Sequence, residues 1–117
     1  MNKTRLLTLA KHLRTVPPDK FDLAYWKCGA AGCAIGHACD IPSLKYDGLR
    51  MEHSGYPFQG EPVFGEQRGW DAVASFFGIS RDNAFFLFDE DSYIDDDLES
   101  TRPEVVADRI EAFVKNY

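Results

Sequence analysis

The chain has 117 residues, 44% hydrophobic and 14% aromatic. That is enough apolar material for one packed domain spanning 1–117, and it excludes a disordered chain. Thirteen Lys+Arg against nineteen Asp+Glu leave a net charge of −6. Phosphates and anionic lipids are held by clustered Lys/Arg, so the balance argues against nucleic-acid and membrane partners and favours a basic protein partner.

Lys3–Thr15 is expected to be helical, because Leu6, Leu9, Leu13 and Val16 recur at helical steps and Pro17-Pro18 stop the pattern. Lys3, Arg5, Lys11 and His12 interrupt its apolar residues, so the segment does not read as a signal peptide, and no run is long and apolar enough to span a bilayer. Phe21, Leu23 and Tyr25 alternate with polar or small residues, as in a short strand. Ala30–Cys39 is built from Ala, Gly, Cys and Ile and reads as a buried central helix, with Cys28 near its N-terminus. Asp47-Gly48, between Leu44-Lys45-Tyr46 and Leu49-Arg50-Met51, carries a hairpin signal. Gly55 to Gly69, rich in Gly and Pro yet holding Tyr56, Phe58, Val63 and Phe64, is expected to be an ordered loop.

Trp70–Phe77 should be a helix presenting Trp70, Val73, Ala74 and Phe77 and capped by Gly78. Ser80 is placed to cap a following helix, Arg81–Phe88. An acidic loop, Asp89–Glu99, leads to a last helix opened by Thr101 and Pro103 and burying Val106, Ile110, Phe113 and Tyr117. The expected class is α+β, mainly α: a central small-residue helix, C-terminal helices including a helical hairpin, and a short β-hairpin.

The unusual stretch is Trp26-Lys27-Cys28-Gly29-Ala30-Ala31-Gly32-Cys33-Ala34-Ile35-Gly36. It resembles a group of small uncharacterised bacterial and phage proteins that share a Trp, then Cys-Gly-x-x-Gly-Cys, then a further Gly. The resemblance extends over Ala74 to Phe88 and weakly over the final helix. It implies no activity, cofactor or substrate.

Three chemistries fit the residues there. Free cysteines are commonly small core residues. A thiol near a helix N-terminus is stabilised as thiolate, which makes Cys28 a candidate catalytic nucleophile with His37 as base, or Cys28 and Cys33 a redox pair. The C-x₄-C spacing is not the C-x-x-C of redox proteins, and no Asp or Asn is placed to orient His37. Cys28, Cys33, His37 and Cys39 are zinc-type ligands, but helical geometry turns Cys39 away from the others. Three cysteines confined to positions 28–39 point to a reducing, cytoplasmic setting.

Trp70–Phe88 has a helix–turn–helix rhythm, but its second helix offers phenylalanines rather than the polar and basic residues that read DNA. The acidic stretch lacks the glycine and glutamate of a calcium-binding loop, leaving Asp89, Asp91, Asp95, Asp96 and Asp97 as a candidate docking patch for a basic partner. His12 and His53 read as isolated. The sequence therefore favours a small intracellular, non-catalytic protein-interaction module without cofactor. A thiol enzyme centred on Cys28 and a zinc-stabilised module are the alternatives.

Overall fold

A computed structural model describes residues 1–21, 27–28, 31–53, 60–93 and 102–116, with the side chains of residues 27–28, 31–32 and 53 outside that description. Helix α1 (Lys3–Leu13) buries Leu6, Leu9, Ala10 and Leu13. It stops two residues before the expected Thr15, whose backbone and hydroxyl instead close on the His12 carbonyl. Its N-cap is Asn2, whose Oδ1 accepts from the Arg5 amide at 3.0 Å. Arg5 then leaves the helix to donate to the Phe76 carbonyl at 2.8 Å and to pair with Asp47 at 3.3 Å, tying α1 to two distant parts of the chain.

The central segment departs from expectation. Residues 27–28 (β1) and 31–32 (β2) form a two-stranded antiparallel hairpin, and helix α2 is only Ala34–Ala38. Gly29 and Gly32 lower helix propensity just where the longer helix would have begun, and Cys33 occupies the extended N-cap position instead. Ala34, Ile35, Gly36 and Ala38 are nevertheless all buried, as a helix of small residues requires. Phe21 makes an isolated bridge, and the remainder of the expected Phe21–Tyr25 strand lies outside the described residues.

The hairpin expected at Asp47-Gly48 is a helix end. Pro42 opens helix α3 (Pro42–Tyr46), and Gly48, at φ +109°, turns the chain out of it. Strand β3 (Arg50–His53) follows and pairs with β4 (Gly60–Phe64), which pairs with β5 (Gln67–Arg68), giving an antiparallel sheet that takes up the second part of the expected loop, whose residues 55–59 lie outside the described residues. The tight hairpin lies between β4 and β5, where Gly65 supplies the positive φ that such a turn needs. Pro62 is tolerated in the middle strand because β5 pairs only Val63 and Phe64, so nothing on that side requires an N–H from Pro62.

Helix α4 (Gly69–Phe77) and helix α5 (Arg81–Phe88) form the expected hairpin. Ser80 caps α5 by accepting from the Asn83 amide at 3.1 Å. The face of α4 is shifted from expectation: Ala72, Val73, Phe76 and Phe77 are buried, while Trp70 and Ala74 are half-buried. A 3₁₀ turn, Glu90–Tyr93, leads away from α5. Helix α6 (Pro103–Asn116) buries Val106, Ala107 and Ile110, with Phe113 half-buried and Tyr117 outside the described residues. One apolar cluster runs from Leu6 through Ile35, Leu44, Phe76, Leu87 and Tyr93 to Ile110. Among the described residues none with a charged side chain is buried. The fold is α+β, mainly α.

Two stability outcomes follow from this packing. Gly78 holds φ +66°, and a Cβ there would come within 3.3 Å of the Asn2 backbone nitrogen. Gly78→Ala is expected to cost at least the roughly 1–2 kcal/mol of a left-handed alanine, read as a shifted midpoint in urea. Cys33 is only 2% exposed. Cys33→Leu should therefore cost more than Cys33→Ala, by the roughly 1–3 kcal/mol of overpacking; equal melting temperatures for the two variants would refute the tight packing around α2.

Candidate functional site

The cysteine–histidine segment provides the first candidate. Cys28 lies on β1, six residues before α2 begins at Ala34, and so does not occupy the helix N-terminus that would favour a thiolate. Its side chain is outside the described residues, so its relation to His37 is too. Cys33 and Cys39 are buried. Among the described residues no three His, Cys, Asp or Glu side chains gather as a metal site would require.

His37 has a different neighbourhood from the one its sequence position implied. Its Nε2 lies 2.7 Å from the Lys20 carbonyl oxygen. A carbonyl only accepts, so Nε2 carries the hydrogen and Nδ1 is the basic nitrogen of the neutral ring. Phe21 stacks on the imidazole at 6.1 Å between ring centroids. His12, which the sequence presents as isolated, stands 6.5 Å from His37. No periodicity links a residue on α1 with one on α2; the contact arises only when the two helices pack. Burial lowers the His12 pKa below 6.5, the charge on His37 lowers it further, and Asp40 opposes both.

The second candidate is a groove of about 430 Å³ between α5 and α6, lined by Asn83, Phe86, Arg109, Ala112, Phe113 and Asn116. Phe85 and Phe86 are 38% and 47% exposed, although both are large apolar side chains. Trp70 stacks on Phe85 with centroids 4.3 Å apart, so α4 and α5 present a joint aromatic surface. Arg109 forms one wall of the groove. It donates to the Phe86 carbonyl at 2.9 Å, the Ser92 carbonyl at 3.0 Å and Ser92 Oγ at 3.1 Å. Its guanidinium also lies 3.7 Å from the Tyr93 ring centroid and 4.7 Å from that of Phe86. Tyr93 itself is buried and donates to the Leu87 carbonyl at 2.7 Å. One cation thus fastens the end of α5, the 3₁₀ turn and α6 together.

Of the acidic residues marked out by sequence, Asp89 is the C-cap of α5, and its Oδ2 accepts from the Asp91 amide at 3.0 Å. Asp95, Asp96 and Asp97 lie outside the described residues. In the sequence the phenylalanines of α5 read only as unsuited to DNA. The signal for a surface role is that Phe85-Phe86 are adjacent: a helix cannot turn two neighbours and Leu87-Phe88 all into one core. Comparison with protein-family models, with curated proteins and with solved structures finds no match to this chain. Among the described residues no helix is long and apolar enough to cross a membrane.

The His12 environment makes a pH prediction. A histidine held below its ordinary value is neutral in the fold while the unfolded chain takes up a proton. The stability it contributes is complete above pH 6.5 and is lost as pH falls through that value towards the lower folded pKa. Urea titrations from pH 7.5 down to about pH 5 should show falling stability, and His12→Gln should flatten that decline. An unchanged slope in the variant would place the proton uptake elsewhere.

Proposed function

We propose that this chain is a non-catalytic protein-interaction module whose contact surface is the aromatic side of the α4–α5 hairpin. The observation that carries this reading is the exposure of Phe85 and Phe86 beside the half-buried Trp70, over a groove whose wall is built by Arg109. Adjacent exposed aromatics of this kind are costly in water and are the residues that anchor protein contacts. The surface pairs them with the amides of Asn83 and Asn116, which can satisfy polar groups of a bound chain. The thiol reading has no comparable support: His37 donates to Lys20, and Cys33 and Cys39 are buried.

A photo-crosslinking amino acid placed at Phe85, at Phe86 and, as control, at the 92% exposed Tyr46 tests the proposal in cells expressing the full chain. Adducts of one discrete mass at positions 85 and 86, absent at 46 and abolished by Ala112→Trp, are expected. Identical adduct patterns at all three positions would reject the hairpin as a contact surface.

A further inference from the structure

We infer that the open edge of strand β3 pairs antiparallel with the same strand of a second copy of this chain, joining two three-stranded sheets across a two-fold axis through Met51. The edge uses none of the residues of the α4–α5 surface, so the inference is independent of the reading above.

The backbone defines the edge. The sheet runs β3-β4-β5, so among the described residues β3 has one strand neighbour, β4. Gly65 and Glu66 form a two-residue turn, and the pair flanking such a turn, here Phe64 and Gln67, exchanges hydrogen bonds. Phe64 therefore turns its N–H and C=O to β5. Alternation then turns those of Val63 to β3, and the carbonyl of Pro62 away from it. Val63 stands opposite Arg50, and Pro62 opposite Met51. Arg50 and Glu52 are thus the residues bonded to β4, while the N–H and C=O of Met51 point out of the sheet's free edge.

A free edge is a template for another strand. The side chains decide which strand. Arg50 and Glu52 share one face, with Nη2 and Oε2 3.9 Å apart, and are 58% and 39% exposed. On a two-fold axis through Met51, Arg50 stands opposite Glu52 of the second copy, and Glu52 opposite its Arg50. Opposite charges in directly facing positions stabilise a strand pair, and like charges oppose it. The edge is therefore complementary to itself in this register. A slip of one residue turns the charged side chains to the other face and loses the match. Arg68 on β5 already binds Glu52 at 2.6 Å and Glu61 at 3.2 Å, so the new pairs extend a row of charges that crosses the sheet. The net charge of −6 opposes the approach of two copies, but that long-range repulsion is screened at ordinary salt. A strand of four residues buries little surface, so the dimer is expected to be weak.

Sedimentation of the full chain at about 0.15 M salt, taken to about 1 mM protein, is expected to show a monomer–dimer equilibrium. Hydrogen exchange at low and high concentration locates the contact. The Met51 amide should gain protection with concentration, while the Arg50 and Glu52 amides are protected at both. Arg50→Glu and Glu52→Arg each set like charges opposite each other and should weaken the dimer at least about tenfold. Mixed in equal amounts, the two variants should pair with one another. Melting temperatures check both variants, because Glu52 also holds Arg68. Should Glu52→Arg fail to fold, Arg50→Glu at its exposed position decides alone. A monomer at every concentration overturns the inference. So does a dimer whose Met51 amide exchanges as fast as in the monomer, or one that Arg50→Glu leaves intact. Crosslinks from Phe85 and Phe86 should persist in Arg50→Glu; their loss would show one shared contact and overturn a separate edge.

Discussion

The whole arrangement depends on a described interior without charge. The buried cluster draws on each of the six described α-helices, from Leu6 on α1 to Ile110 on α6, and among the described residues no charged side chain interrupts it. Such a core derives its stability from the removal of apolar surface from water, a force without directionality. Direction has to come from the periphery. The Asn2 amide donates to the Phe77 carbonyl at 2.8 Å, and Arg5 donates to the neighbouring Phe76 carbonyl, so the start of the chain is registered against the end of α4 by hydrogen bonds. On the other side of α1, Arg14 reaches Asp108 at 2.7 Å and Glu111 at 2.9 Å on α6. These exposed ion pairs contribute little energy individually. Their role is to fix which way the apolar faces meet.

Arg109 does the same for the candidate interaction surface, and more decisively. The end of α5 leaves backbone carbonyls without helical partners, and the guanidinium takes up that of Phe86. By stacking on Tyr93 as well, it holds the 3₁₀ turn against α6 and keeps Phe86 at the surface. The groove is thus a by-product of how α5 is terminated, and its apolar walls are held open by a polar fastening.

The helices with strong local signals were legible in advance. α1, α4, α5 and α6 each combine helical spacing of apolar residues with an identifiable stop or cap, and Gly78 and Ser80 take the roles their types predict. The middle was illegible for a physical reason: Asp-Gly serves a hairpin turn and a helix C-terminus equally well, and only the tertiary fold chooses. Pro42, which favours a first helical turn, was the discriminating residue. Gly60 and Pro62 disguised β4, because both are weak strand formers; the proline is accommodated because β5 ends before reaching it. The proximity of His12 to His37 and the role of Arg109 are long-range facts that no local pattern encodes.

The stacking of Trp70 on Phe85 has a practical corollary. The chain has two indoles, Trp26 and Trp70. A Trp26→Phe substitution would leave a single emitter, half-buried, face to face with an exposed phenylalanine on the next helix. Indole emission responds to the polarity around the ring, so the protein carries its own optical gauge of the outer side of the hairpin. Any event that parts the two rings or dries the surface around them becomes visible as a change in colour and yield, without a label.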